Sequence, residues 1–387
     1  MSTAARPKPR PGGFTLIELL VVIGILSSVT LLAFNVSGDD RAQLRYDDTR
    51  QRLHAMERAI LGRLGPSGEA AAGGFVADNG RLPTSVSELL SPGLLATRAA
   101  VEPIFDPKPD ATSCANNGGS SPGDEITLGE APALLVKGHR GNYLGGLAFN
   151  GRFRDGWGNE NGAAAADALN FGWDWKDDVP EQLTITSFGA DNVDDGTPGL
   201  PEFPGPGPNY ATDAKAVIGP GDWRVPIGGW TVTVTSAVDL DFAADITLSA
   251  SLLVYENEIV DTMGTQSARY FWRRYSSSAE TVSCFDGDGD GYIDADGDGT
   301  IDLDDDGEPK TCATRSITLA FSPGCHPGDP DNSHESIPQG RHLLVLVRNG
   351  QASGAWDDGD TVYAPRVLAQ IDAVAGMALP AARLEIR

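Results

Sequence analysis

The residues best suited to chemistry form an aspartate repeat in the last third of the chain. Three copies of an eight-residue unit, Asp-x-Asp-x-Asp-Gly-x-(Ile/Pro), begin at Asp286, Asp294 and Asp302. The carboxylates belong to Asp286, Asp288, Asp290, Asp294, Asp296, Asp298, Asp302, Asp304, Asp305 and Asp306. Carboxylates at alternate positions, followed by a glycine for a sharp turn, are typical of loops that bind calcium. The sequence therefore predicts calcium sites in residues 286–308. The alternative is a solvated acidic loop that like-charge repulsion keeps disordered.

The repeat resembles the calcium loops of thrombospondin type 3 repeats and dockerins more than an EF-hand, which would end in glutamate. Cys284 and Cys312 bracket it, and the chain has two further cysteines, Cys114 and Cys325. An even number of cysteines in an exported chain makes disulfides plausible, with three possible connectivities. We predict a Cys284–Cys312 pair, with Cys114–Cys325 as its corollary; a bond between Cys312 and Cys325 would contradict this.

Sequence motifs for catalysis are missing. The chain contains no Gly-x-Ser-x-Gly, no His-Glu-x-x-His and no phosphate-binding glycine loop, and its five histidines are scattered. We therefore predict that the protein is not an enzyme; a membrane-anchored enzyme is the disfavoured alternative. The formal net charge is −25, although residues 1–66 carry nine Lys/Arg against six Asp/Glu. Nucleic acid is excluded as a partner, since phosphate binding needs a basic surface.

One acidic residue stands inside the N-terminal apolar segment. A basic leader with Arg6, Lys8 and Arg10 precedes the segment Phe14–Phe34, whose single ionised side chain is Glu18. The segment is long enough to cross a bilayer as a helix, with the basic end on the cytoplasmic side. A carboxylate there costs roughly 2.5–3.5 kcal/mol at the membrane centre, so it needs a function. A cleaved secretory signal is the alternative, but the run is long and no Ala-x-Ala site follows it.

The helix should continue beyond the membrane. Its apolar residues fall on one face of a 3.6-residue period and are Tyr46, Leu53, Met56, Ile60 and Leu64. This stripe requires a globular partner. Gly62, Gly65 and Pro66 should end the helix.

The stretch Gly13-Phe-Thr-Leu-Ile-Glu18 closely resembles the processing motif of type IV prepilins and type II secretion pseudopilins. The resemblance implies that prepilin peptidase cuts between Gly13 and Phe14 and that the new Phe14 amine is methylated. It also implies that Glu18 pairs with the Phe14 amine of a neighbouring subunit during filament assembly. The implied partners are other pilin or pseudopilin subunits, prepilin peptidase and an inner-membrane assembly platform.

Two further stretches carry a narrower resemblance. Arg154-Asp-Gly-Trp-Gly-Asn159 and Ser187-Phe-Gly-Ala-Asp-Asn192 resemble the Trp-Gly-Asn turn and the Gly-Ala-Asp loop of the major type II secretion pseudopilin. Gly156 replaces a proline of that pattern and Asn192 replaces a glycine. The resemblance implies a calcium ion bound by Asp191, Asp194 and Asp195; an ordinary exposed Asp/Asn/Gly turn is the alternative.

The predicted fold class is α+β, in four parts. Residues 1–13 are the leader, 14–66 the helix with 14–34 in the membrane, and 67–213 a pseudopilin-like head on a small antiparallel sheet. Residues 214–387 form a small antiparallel β-sandwich-like domain, reached through a Pro/Gly-rich linker at Pro201–Pro226. We predict strands at Trp230–Thr235, Ile246–Tyr255, Ser316–Phe321, Arg341–Arg348, Thr361–Tyr363 and Ala382–Ile386.

Together these features predict a filament subunit in the bacterial inner membrane, with a single membrane pass and a periplasmic or extracellular body. A low-copy pseudopilin of a type II secretion system is the first hypothesis, because the two head motifs favour it. The alternative is a minor subunit of a type IV pilus, or an adhesin that displays the β-domain for surface attachment.

Overall fold

The structure is a computed structural model. It describes residues 15–62, 73–95, 97, 99–101, 135–145, 151–194, 210, 212–262, 265–304, 306–321, 336–349, 361–362 and 367–387. Within these ranges only the backbone is described for residues 31–40, 99–101, 135, 258–262, 265–274, 276, 349 and 361–362.

One long helix, α1, runs from Leu16 to Leu61 and contains 46 residues. At 1.5 Å per residue it is about 69 Å long. Gly24 and the segment 35–38, weak helix formers, do not interrupt it. The helix ends at Gly62, whose φ of 89° lies in a region that favours glycine.

The second half of α1 forms one side of the head. Tyr46, Leu53, Met56 and Ile60 are buried, which confirms the predicted stripe; Leu64 lies outside the described residues. The short head helices are α2 (Phe75–Asn79), α3 (Val86–Leu90), α4 (Ala164–Asn170) and α5 (Pro220–Trp223). The head strands are β1 (Ala99–Val101), β2 (Leu135–Lys137), β3 (Asp174–Lys176), β4 (Leu183–Ser187) and β5 (Ala214–Ile218). An antiparallel sheet in the order β3-β4-β5 faces the helix across a core that includes Phe153 and Trp173.

The remaining strands build two facing sheets. They are β6 (Arg224–Pro226), β7 (Thr231–Ser236), β8 (Leu240–Thr262), β9 (Thr265–Phe285), β10 (Ser316–Ala320), β11 (Ser336–Pro338), β12 (Gly340–Asn349), β13 (Thr361–Val362), β14 (Leu368–Ala373) and β15 (Ala382–Ile386). One sheet has the order β10-β7-β15; the other has the order β13-β12-β8-β9, with β14 also paired to β12. Val232 and Leu384 of the first sheet share a core with Leu248 and Leu344 of the second. Strands β6 and β11 pair separately.

The structure corrects three details of the predicted β-domain. Ala214 does not begin it, because β5 pairs with β4 of the head and Trp223 belongs to the head core. For the same reason the predicted linker is wrong at its C-terminal end, where β5, α5 and β6 lie. The domain is not wholly antiparallel, since β15 runs parallel to β7.

The two cores meet along a joint that is defined by five segments: Leu61, 77–81, 137, 255–257 and 339–342. The Asn257 side chain donates to the Asn79 side chain at 3.0 Å, and both residues are fully buried. The Arg81 guanidinium donates to the Asn257 carbonyl at 2.7 Å. Gln339 donates through its amide side chain to the Leu61 carbonyl at 2.6 Å.

Two glycines fit the surfaces of this joint together. A Cβ atom on Gly80 would lie 2.0 Å from the Tyr255 carbonyl oxygen, and one on Gly340 would lie 3.0 Å from the Ala77 Cα. Both glycines also have positive φ angles. The head and the β-domain therefore approach each other closely at both points.

Candidate functional site

The described chain begins with a capped helix end. The Thr15 hydroxyl accepts from the Glu18 amide at 3.3 Å, and the Glu18 carboxylate accepts from the Thr15 amide at 3.1 Å. This reciprocal capping box satisfies two amides that the first turn leaves unpaired. Glu18 therefore has a role within its own helix, in addition to the role that the resemblance implies. Gly13 and Phe14 lie outside the described residues.

The first turns of α1 expose apolar side chains in every direction. They include Leu16, 80% exposed, and Leu20, Ile23 and Leu26. The hydroxyl of Ser27 donates to the Ile23 carbonyl at 2.8 Å, so its polar hydrogen is used within the helix. Within the described residues, no helix is long and apolar enough to cross a membrane.

A turn of the head packs against the middle of α1. The Gly156 amide donates to the Thr49 hydroxyl at 3.0 Å, and a Cβ atom on Gly156 would lie 2.1 Å from the Arg45 carbonyl oxygen. A proline here would have no amide hydrogen to donate. The replacement of the family's proline by Gly156 thus has a physical reason. Arg52 adds a hydrogen bond to the Arg154 carbonyl at 2.9 Å.

The buried carboxylate of Asp155 joins the two motifs that carry the pseudopilin resemblance. Its Oδ1 accepts from the amides of Trp157, Gly158 and Asn159, and its Oδ2 accepts from the Ser187 hydroxyl at 2.6 Å. Asn159 then donates to the Gly189 carbonyl at 2.9 Å. The Trp-Gly-Asn turn and the Gly-Ala-Asp loop are therefore adjacent, as parts of one hydrogen-bonded unit.

The acidic loop that follows does not bring three candidate metal ligands together among the described residues. Asp191 and Asp194 are exposed, and the Asp191 carboxylate accepts from the Val193 amide at 3.2 Å. Among the described residues neither belongs to a group of three potential metal ligands. Asp195, the third predicted ligand, lies outside the described residues.

The first unit of the aspartate repeat lies against a residue from outside the repeat. Ligand oxygens of Asp239, Asp286 and Asp288 lie within 4.8 Å of one another. Asp239 and Asp286 are buried. Asp239 accepts from the amides of Gly287 at 2.7 Å and Asp294 at 2.9 Å. It therefore links the first two units.

The second unit forms a more exposed group. Asp294, Asp296 and Asp298 again place oxygens within 4.8 Å of one another. In the third unit, Asp304 accepts from the amides of Asp306 and Glu308, both at 2.9 Å. Asp305 lies outside the described residues. Asp290, Asp302, Asp304 and Asp306 belong to no group of three ligands among the described residues.

A disulfide and one arginine hold the base of the repeat. Cys284 and Cys312 are bonded, with their Cα atoms 6.0 Å apart; Cys114 and Cys325 lie outside the described residues. The Arg315 guanidinium lies 3.4 Å from the Asp286 carboxylate and donates to the Gly289 carbonyl. Arg315 thus neutralises part of the charge of the first unit.

The donor set of both groups suits calcium. Every candidate ligand is a carboxylate, which is the hard oxygen donor that calcium prefers. Gly287 lets the loop lie close to the domain, since a Cβ there would be 2.5 Å from the Val238 main chain. Asp239 was missed from the sequence, because it lies far before the repeat and is not part of its eight-residue unit.

Comparison with known proteins finds a similarity only at the N-terminus. Residues 8–34 match the family model described as the prokaryotic N-terminal methylation motif. No curated protein and no solved structure matches the chain. The matched segment contains Gly13, Phe14 and Glu18 and joins the first turns of α1. The chain therefore carries the type IV pilin-like signal of a prepilin-peptidase substrate, which indicates a membrane-anchored structural subunit that assembles with other pilin subunits, rather than an enzyme.

Proposed function

We propose that the protein is a low-copy pseudopilin of a type II secretion system, whose β-domain is an added, calcium-stabilised module. The observation that carries the proposal is the continuity of α1 with the matched methylation motif. The first half of this helix exposes apolar residues, whereas the apolar stripe of its second half is buried against the head. The helix that would enter the filament and the helix that carries the head are thus one element, α1.

Prepilin peptidase would cut between Gly13 and Phe14, and the amine of Phe14 would then be methylated. The apolar half of α1 would lie in the inner membrane before assembly and among the helices of other subunits afterwards. Glu18 would pair with the Phe14 amine of a neighbour, because an unpaired carboxylate in an apolar environment is penalised. The inner-membrane assembly platform would supply the force for incorporation.

The pseudopilin subtype is supported by the unit around Asp155. The two motifs that resemble the major pseudopilin are hydrogen-bonded to each other. The β-domain supports a low-copy position, since every neighbour in a filament would have to accommodate it. The same domain is the argument for the second candidate, a pilus minor subunit or adhesin.

We further propose calcium at the repeat. Asp239, Asp286 and Asp288 would hold one ion and Asp294, Asp296 and Asp298 another. Bound calcium would supply the positive charge that these closely spaced carboxylates need. Asp191, Asp194 and Asp195 remain a third candidate set, and Cys114–Cys325 a second candidate disulfide.

Two measurements test the proposed function. Mass spectrometry of the protein extracted from membranes should show a mature chain that begins with methylated Phe14; a chain cut after Phe34 would contradict it. A strain that lacks the protein should lose secreted hydrolases while still attaching to surfaces. Normal secretion with lost attachment would support the adhesin instead.

A further inference from the structure

Two buried basic residues, one from each side, lie in the joint between the head and the β-domain. Lys137, the last residue of β2 in the head, is buried and its Nζ donates to the Ala77 carbonyl at 2.8 Å. His342, on β12 of the β-domain, is 1% exposed. Burial lowers the pKa of Lys137 to about 8. Burial first, and then the charge of Lys137, lower the pKa of His342 to about 3.

The hydrogen bond of His342 defines the tautomer of its neutral ring. Its Nε2 lies 2.7 Å from the Pro338 carbonyl, which can only accept, so Nε2 carries the hydrogen. Its Nδ1 is buried and has no hydrogen-bond partner among the residues that the structure describes. A proton added at Nδ1 would therefore be a second buried charge, without an acceptor, in the field of Lys137.

The other charged groups around the pair are engaged elsewhere. Asp78, on α2, bonds to Arg140 at 3.1 Å and to the Tyr143 hydroxyl at 3.0 Å. Asp372, on β14, pairs with Arg341 at 3.0 Å. These are the groups whose charges act on Lys137, and their carboxylates are already paired with arginines. They do not provide a free counter-ion for a protonated His342.

We propose that the joint is an acid-sensitive hinge, which opens when His342 is protonated opposite Lys137 while the cores of the head and the β-domain stay folded. Opening would separate the surfaces that lie in close contact at Gly80 and Gly340. A histidine in the open form titrates near its ordinary value of about 6.5. The ratio of open to closed molecules should therefore rise up to about tenfold for each pH unit below that value, until pH approaches 3.

Hydrogen exchange on the full-length chain in detergent tests the hinge. The main-chain amide of Gln339 is a reporter of the joint, because it donates to the Trp223 carbonyl of the head at 2.7 Å. Strand β7 reports on the core of the β-domain. Protection factors, corrected for intrinsic exchange, are measured between pH 7 and pH 4. We expect protection at Gln339 to fall by up to about tenfold per unit while β7 keeps its protection.

Three variants assign the effect. His342→Gln should give a flat profile at Gln339. His54→Gln is the matched control, because His54 is half-exposed on α1, pairs with Glu57 and belongs to none of the five segments of the joint; it should behave like the wild type. Lys137→Met should raise the closed-state pKa of His342, so that the decline stops at a higher pH. If His342→Gln does not fold, the Lys137→Met profile decides whether protonation of His342 opens the joint.

Several results would overturn the hinge. They are a flat wild-type profile, an unchanged decline in His342→Gln, and a Lys137→Met profile that equals the wild type. Loss of protection in β7 together with Gln339 would mean global unfolding instead. A decline that disappears only in His139→Gln would assign the effect to His139, the other buried histidine among the described residues, which lies in the head.

Discussion

Glu18 caps its own helix, and the role that we propose for it between subunits is separable from that cap. The capping box needs only an acceptor at this position, and glutamine provides one as well as glutamate does. The proposed pairing with a neighbouring amine needs a charge. Substitutions at Glu18 can therefore distinguish the two roles.

We predict that Glu18→Gln and Glu18→Ala both abolish incorporation into filaments, although Glu18→Gln keeps the cap. Processing at Gly13–Phe14 should be intact in both. The measurement is the amount of mature protein in sheared filaments relative to the membrane fraction. Normal incorporation of Glu18→Gln, with loss only in Glu18→Ala, would mean that the cap and not the charge matters.

Asp239 extends the proposed metal site beyond the repeat. We predict that Asp239→Asn weakens calcium binding at the first unit by about tenfold or more, or about 1.4 kcal/mol, because a charged ligand is lost. Asp245→Asn, at an exposed position in strand β8, which follows Asp239, is the charge-matched control and should bind as the wild type does. Isothermal titration of the full-length chain with calcium measures both. Equal affinities would remove Asp239 from the site.

At the scale of elements, the attachment of α1 to the head depends on Gly156. We predict that Gly156→Ala destabilises the head by about 1–3 kcal/mol, the usual cost of overpacking, since its Cβ would collide with the Arg45 carbonyl. Gly162→Ala is the control, as nothing lies within 4 Å of its Cβ position. Denaturant unfolding monitored by tryptophan fluorescence compares them. Equal unfolding midpoints would show that α1 can shift away at little cost.

Elements whose apolar residues repeat with the period of a helix or a strand could be predicted from the sequence. Strands that are defined by pairing with a neighbouring strand could not. The stripe on α1 and the β-branched strand β7 follow from sequence alone, because their apolar residues repeat with the period of a helix or a strand. Strand β9 was missed, since Arg273-Arg274 and Ser276–Ser278 interrupt any alternation. Its register with the long strand β8 defines it instead. Strand β14 was missed for the same reason and is positioned by β12.

The candidate site likewise contains features that the sequence predicts and features that it does not. The disulfide between Cys284 and Cys312 and the grouping of alternate aspartates could be expected from spacing along the chain. Three features depend on contacts between distant segments. They are the position of Asp239, the hydrogen bond between Asp155 and Ser187, and the placement of Lys137 and His342 in one joint. No local pattern encodes such contacts, because they arise only when the sheets pack.

At the scale of the whole molecule, the repeat should couple calcium to stability. We predict that a chelator lowers the unfolding temperature of the full-length chain in detergent, and that calcium restores it. A ligand specific for the folded state stabilises it by about 2.7 kcal/mol per site at a hundredfold excess over its Kd. Differential scanning calorimetry measures the shift, with magnesium at equal concentration as the control. An unchanged melting curve in chelator would leave the repeat as ordinary turns.

The hydrogen bond from Gln339 to the Leu61 carbonyl has a mechanical consequence. It connects the β-domain directly to the last turn of α1, across 278 positions of sequence. Tension applied to the β-domain would therefore reach the helix without first stretching the chain between residues 62 and 73. While the joint is closed, the β-domain and α1 would then move together under such a force.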